Sequence, residues 1–228
     1  MTFGSTFGRT FSPTFQPKSQ AKKGGIVVYD TFTDTDGTLL SDHTPEIYPA
    51  GSSWGGGAAT NLTIINTNAA CSPALYGTSL GCGIDTGLVN CKITATVKAY
   101  YRNANTNYRN SGIRLRCNSA ADSSYNDSST WYGVVVNSCS DKFQIIEKAS
   151  GNSFTVLSET SVTMDLATSY TLVATVSGTT ITATLDGANE ISYSSASVNS
   201  SSTIHGVKPT TYDDMKTPMV LDFQVESI

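Results

Sequence analysis

The sequence predicts an all-β chain folded as an antiparallel sandwich, and three observations predict it. Charge is scarce: 14% of the 228 residues are Asp, Glu, Lys or Arg, against roughly 25% in an average soluble protein. Ser, Thr, Asn and 19 Gly take their place, and long helices, which need charged residues on their wet faces, are not expected. Apolar and polar residues alternate in short runs bounded by Gly, Asp and Ser, the pattern of half-buried strands. No window longer than ten residues keeps a convincing 3.6-residue period, so any helix is a single turn.

The first segment stands apart. Thr2-Phe3, Thr6-Phe7, Thr10-Phe11 and Thr14-Phe15 form a Thr-Phe-x-x repeat. A helix would put positions four apart on one face, but Gly4, Gly8, Pro13 and the β-branched Thr make that helix poor. In an extended chain all four rings point the same way at intervals of about 13 Å. Such an arm cannot bury its rings against itself and is expected to order only against a partner. Phe3, Phe7, Phe11 and Phe15, with Arg9 among them, are its anchoring residues; the alternative is that it folds back on its own domain. Residues 16–25, Gln-Pro-Lys-Ser-Gln-Ala-Lys-Lys-Gly-Gly, have no apolar pattern and read as a linker. The expected organisation is an arm and linker over 1–23 and a sandwich over 24–228.

Strands follow in order. Ile26 to Phe32 opens the body. Residues 50–90 hold Gly55-Gly56-Gly57 and Gly81-Cys82-Gly83 and read as a decorated connection with one or two strands near Leu62 to Asn66. Lys92 to Tyr101 alternates, with Ile93, Ala95, Val97 and Ala99 on one face. Ile113 and Leu115 alternate with Arg114 and Arg116. Trp131 to Val136 is a continuous apolar run, and Phe143 to Glu147 follows after a turn. Tyr170 to Val176, Ser177-Gly178 and Thr180 to Leu185 read as a hairpin, which Asp186-Gly187 ends. Val220 to Val225 is the last strand.

Composition also narrows function. No apolar run approaches the ~20 residues of a membrane span, and Gly, Ser, Thr and Arg interrupt every Phe where a secretory signal needs an unbroken apolar stretch. The net charge of -4 is divided unevenly, with Arg9, Lys18, Lys22 and Lys23 preceding the first acid, Asp30. Four charges over so long an arm are too sparse to track phosphates, so no nucleic-acid partner is expected. Cys71, Cys82, Cys91, Cys117 and Cys139 show no metal-ligand spacing with one another or with His43 and His205. Bridges Cys71–Cys82 or Cys82–Cys91, or buried free thiols, remain open.

The run Asp30-Thr31-Phe32-Thr33-Asp34-Thr35-Asp36-Gly37, then His43-Thr44-Pro45-Glu46, then Trp54, resembles the start of laminin-G-like (concanavalin A-like) jelly-roll domains, which are common in bacterial and phage surface proteins. Gly112 to Arg116, Trp131 to Val136, Val176 to Ile181 with Leu185-Asp186-Gly187, and Leu221 to Val225 resemble later strands of that family. In it the closing strand pairs with the first. The resemblance spans residues 26–228. Some such domains hold calcium on a loop edge, and Phe32-x-Asp34-x-Asp36-Gly37 resembles part of a calcium loop. Phe32 and His43 stand where its end ligands belong, so Asp34, Asp36 and Gly37 are expected to form a turn with Asx hydrogen bonds. Calcium on Asp34 and Asp36 is thus the one cofactor candidate.

Glycosidases of this shape need two carboxylates about 5–10 Å apart. The five Glu show no Glu-x-Asp-x-Glu pattern, and Asp222 and Glu226 would stand about 13 Å apart on one strand face. No catalytic residue is named and no enzyme is expected. Sugar binding needs exposed aromatic faces beside polar groups, for which Tyr100, Tyr101, Tyr108 and Trp131 are candidates, with Arg102 and Arg109 as donors; the core is the alternative home for Trp131. The expectation is a bacteriophage virion structural protein, of capsid-decoration or head-fibre type, located at the particle surface. Its arm would dock on a capsid or other virion protein, or on a second copy, and its sandwich would reach host-surface glycans. A free carbohydrate-binding module or adhesin is the alternative, and a glycoside hydrolase a weaker one.

Overall fold

The structure is a computed structural model and describes residues 25–55, 62–65, 68–71, 81–98, 110–122, 128–149, 154–165, 168–209 and 219–228. The arm residues Phe3, Phe7, Arg9, Phe11 and Phe15 lie outside the described residues, as do Tyr100, Tyr101, Arg102, Tyr108 and Arg109. Among the described residues all regular structure is strand. In chain order the strands are β1 (Ile26–Asp30), β2 (Thr63–Ile65), β3 (Ala69–Cys71), β4 (Gly81–Asp85), β5 (Cys91–Lys98), β6 (Asn110–Leu115), β7 (Ala121–Asp122) and β8 (Trp131–Asn137). They continue as β9 (Lys142–Lys148), β10 (Phe154–Ser161), β11 (Ser169–Ser177), β12 (Thr180–Leu185), β13 (Ala188–Tyr193), β14 (Ile204–Pro209) and β15 (Met219–Ser227).

Two antiparallel sheets face each other. One runs β13-β12-β11-β5-β15-β3-β2, with β1 also on β15; the other runs β10-β9-β8-β6-β14-β4-β7. The closing strand does pair with the first, with Tyr29 opposite Gln224 and Asp30 opposite Phe223. Period-two alternation decides which side chains meet between the sheets. From one sheet come Ile93, Ala95, Val97, Leu172, Ala174, Val176, Phe223 and Val225; from the other come Ile113, Leu115, Tyr132, Val134, Val136, Phe143 and Ile145. All of these are fully buried, and each large aliphatic among them is worth roughly 1.5–3 kcal/mol of transfer free energy.

The Ser177-Gly178 hairpin joins β11 to β12, with Ser177 opposite Thr180. Asp186-Gly187 does more than end β12. Asp186 at φ +52° and Gly187 at φ +71° make a two-residue turn that returns the chain as β13, with Leu185 opposite Ala188.

The segment expected to be a loop with strands near Leu62 to Asn66 holds β2, β3 and also β4, in Gly81-Cys82-Gly83. β4 is buried from Gly81 to Ile84 and needs small residues, because a side chain on Gly81 would strike that of Arg114 and one on Gly83 would crowd Ile204. All five cysteines are free thiols, four of them buried, so neither Cys71–Cys82 nor Cys82–Cys91 is a bridge here.

Candidate functional site

The first strand ends in a hub. Asp30 is fully buried and accepts three hydrogen bonds: from Phe32 N at 2.6 Å, His43 Nε2 at 2.9 Å and Trp54 Nε1 at 2.6 Å. The first holds Phe32 at φ +52°, a conformation that non-glycine residues seldom adopt. The ring of Phe32 lies 5.8 Å from that of Trp54, which lies 5.5 Å from Phe223 on β15, so the hub is cemented to the core. His43 Nδ1 reaches Asp34 Oδ2 at 3.1 Å. Glu46 accepts from Thr31 N at 3.0 Å and from the Thr31 hydroxyl. The residues that carry the family resemblance, Asp30, Thr31, Phe32, Asp34, His43, Glu46 and Trp54, are therefore one network.

Both nitrogens of His43 face carboxylates. Burial works against its charge, but the hydrogen bonds and charges of Asp30 and Asp34 outweigh it and raise the imidazole above its ordinary value. The same bond, with Thr35 N and Thr38 Oγ1, holds Asp34 below the usual carboxylate range. With both ring nitrogens turned to carboxylates, His43 clamps the loop to the end of the first strand. Asp34, one of the two calcium candidates, accepts from Thr35 N, the next residue, through Oδ1 at 2.7 Å, and Gly37 turns at φ +89°.

The hub supports the loop over residues 39–55. The loop is tied to β1 by Tyr29 N to Ile47 O at 2.9 Å and Ile47 N to Tyr29 O at 3.0 Å. Beyond Tyr48 the chain reverses: Ser52 N bonds Pro49 O at 3.0 Å, and Gly51 at φ +84° fills the third position of a type II turn. The fold back leaves a cleft of about 330 Å³ lined by His43, Thr44, Pro45, Tyr48, Ser52 and Ser53, with Gly51 at its turn. Tyr48 is 38% exposed, one of three large apolar side chains among the described residues to stand out from the surface.

Trp131 corrects an expectation. Its strand is flanked by β6 and β9, its ring lies on the outer face of the seven-stranded sheet, and it is completely buried. Phe154 meets it edge-on at 5.8 Å, and the Arg114 guanidinium and Lys208 ammonium lie 5.1 and 5.2 Å from the ring centroid. Cations over an aromatic face are attractive, and here they occupy the faces a sugar would need. Lys148 Nζ donates to Ser129 Oγ at 2.6 Å beside them. Arg114 and Arg116, whose alternation with Ile113 and Leu115 suggests a wet face, are both fully buried. Arg116 leaves the sheet at φ +49° and donates to Ala196 O at 3.1 Å and Gly178 O at 2.5 Å, tying the sheets at one end.

Several other ionisable groups among the described residues have structural partners. Asp222 Oδ1 accepts from Thr96 N at 2.9 Å, and Glu226 pairs with Lys92 at 3.1 Å. His205 donates through Nε2 to Leu88 O at 2.9 Å and accepts at Nδ1 from Arg116 N at 3.3 Å, the pattern of a neutral ring. Burial pushes it down to about 4. Cys91 beside it is pushed up to about 12 by burial, so this pair is not a nucleophile and its base. Among the described residues no three His, Cys, Asp or Glu side chains form a metal-binding group. Tyr48 escaped the sequence reading because Pro, Gly and Ser surround it without periodicity; the available signal was an aromatic inside a turn-forming stretch.

No protein-family model matches the chain, and no curated protein matches it. Solved structures do. The VIP36 exoplasmic/lumenal domain, in its Ca²⁺/Man-bound form, superposes with a TM-score of 0.53 at 12% identity, covering 91% of each chain. The fold is the concanavalin A-like lectin jelly roll. Carbohydrate-binding module CBM66 of Bacillus subtilis is similar at 0.46 and 13% identity, covering 90% of this chain and 98% of the module. The CBM2 module of the evolved Dit of Lactobacillus casei BL23 phage J-1 is similar at 0.48 and 13%, covering 89% and 95%. Within this lectin-like jelly roll the cleft beside Tyr48 lies at the end of the first strand.

Proposed function

We propose that the protein is a glycan-binding display protein of a bacteriophage virion, held to the particle through its Phe-repeat arm and presenting the lectin-like sandwich outward. One observation carries the binding reading: an exposed aromatic ring and the hydroxyls of Thr44, Ser52 and Ser53 line an open cleft whose floor is fixed by a buried hub. Carbohydrate sites need that combination of rigid floor, apolar face and polar rim. The reading is of binding and not turnover, because three acids near the cleft are held in structural contacts: Asp30 and Asp34 hold His43, and Glu46 holds Thr31. The arm supports the display half of the reading, since rings at a regular four-residue spacing on an extended chain are suited to a groove or sheet edge on another molecule.

Two measurements test it. The intact protein is screened on an array of bacterial-surface and simple oligosaccharides, where retention of at least one class is expected. The full chain and a chain beginning at residue 24 are then each supplied to assembling particles. The truncated chain is expected to stay folded and to be missing from purified particles, and incorporation at the full-length level overturns the anchoring role.

A further inference from the structure

The cleft beside Tyr48 carries a statement about which saccharides it takes. Its lining residues all come from residues 43–53, inside a longer stretch with an extreme charge pattern. From Gly24 to Asn90 the sequence has no Lys or Arg, while Asp30, Asp34, Asp36, Asp42, Glu46 and Asp85 are all acidic. The one group on the cleft wall that can be cationic is His43, and both of its ring nitrogens are already turned to Asp30 and Asp34. A ligand entering here meets no available positive charge from the lining, and the carboxylates of Asp30 and Asp34 stand behind His43.

What the lining does offer is suited to an uncharged ring. The phenol of Tyr48 gives a flat apolar face. The hydroxyls of Thr44, Ser52 and Ser53 make no hydrogen bond to another described residue, so they can donate to and accept from a polyol. Pro45 is buried beneath and adds an apolar floor. We infer that the Tyr48 cleft is a subsite for one neutral pyranose residue, stacked on Tyr48 and hydrogen-bonded by Thr44, Ser52 and Ser53, and that it rejects uronic, sialic and sulfated sugars. This inference rests on the glycan-binding reading and names the site and the ligand class for it.

Titration calorimetry on the full chain tests it with matched probes: glucose and glucuronate, galactose and galacturonate, N-acetylglucosamine and its 6-sulfate, each as an oligosaccharide. Neutral members should bind, and their acidic partners should bind roughly tenfold more weakly at low salt, a gap that narrows as salt screens the acids. Tyr48→Ala should weaken the neutral probes by about tenfold or more, with the protein still folding cooperatively because the ring is partly exposed. Asp42→Lys, on an exposed side chain beside His43, should recover binding of the acidic probes and leave the neutral ones as they were. Equal or tighter binding of the acidic probes, lost in Tyr48→Ala, overturns the charge selectivity and keeps the cleft. Neutral binding that survives Tyr48→Ala moves glycan binding elsewhere and overturns the site. Failure of every probe, neutral and acidic, removes the glycan-binding reading itself.

Discussion

Replacing Asp30 with Asn should unlatch the end of the first strand. The carboxylate takes hydrogen bonds from Phe32 N and His43 Nε2 on one oxygen and from Trp54 Nε1 on the other, with no exposure to water. An amide of nearly the same shape keeps one acceptor and turns a donor toward either the indole or the ring pair. A charge-assisted hydrogen bond worth roughly 1.5–3 kcal/mol is lost, and a buried donor is left unsatisfied at a further 1–3 kcal/mol. His43 also loses the buried half of its counter-charge. A total of about 3–5 kcal/mol follows, in the range measured when one partner of a buried pair is removed. For a chain this long that lowers Tm by about 10 °C. Urea unfolding followed by fluorescence and circular dichroism reads the loss, with Asp42→Asn on the exposed neighbour as a control expected within about 0.5 kcal/mol. His43→Gln supplies the second arm of a double-mutant cycle, in which the two losses should fall short of additive by at least about 1 kcal/mol. An Asp30→Asn loss below about 1 kcal/mol, or one equal to the Asp42 control, refutes the hub as the support of the cleft.

The two histidines should shape the pH dependence of stability in opposite senses. His43 is raised in the folded protein, so its stabilisation is complete below pH 6.5 and is lost as pH rises through its folded value. His205 is depressed from 6.5 to about 4, so its contribution is complete above 6.5 and falls away toward pH 4, by about 3 kcal/mol. Chemical unfolding across pH 4–9 should show a maximum near pH 6.5; His43→Gln should flatten the alkaline limb and leave the acid limb in place. Thiol chemistry gives a third test. Cys71, Cys82, Cys91 and Cys117 are buried and Cys139 is partly exposed, so a disulfide reagent should titrate one thiol quickly in the native protein and five in denaturant. Two rapid native thiols, or fewer than five in denaturant without reductant, contradict this arrangement.

The parts of the fold legible in the sequence are those where one rule acts alone. The alternation over Cys91–Lys98 reports a strand with one buried face, and Ser177-Gly178 reports its hairpin. β4 and β14 were hidden because the residues that make them possible argue against strand: Gly81 and Gly83 in one, His205, Gly206, Lys208 and Pro209 in the other. A strand pressed between close neighbours needs missing side chains, and propensity records that need as a loop. Trp131 misled for a related reason. An aromatic on the outer face of a sheet is open only when nothing lies over it, and Arg114, Lys208 and Phe154, distant in sequence, lie over it here. In the hub the motif was legible, but its purpose was not: Asp30, His43 and Trp54 were visible as a family pattern, and only their distances show that they hold up a surface loop.

The place of β1 has a mechanical consequence. Its first residue, Ile26, adjoins Gly25, whose carbonyl accepts from Ser227 N at 3.0 Å, and its last, Asp30, is the hub beneath the cleft. A force applied ahead of residue 25 and another applied at the cleft would pull on opposite ends of this one strand. The tension would run along the strand axis, so its ladder to β15 would be sheared as a set and not peeled rung by rung.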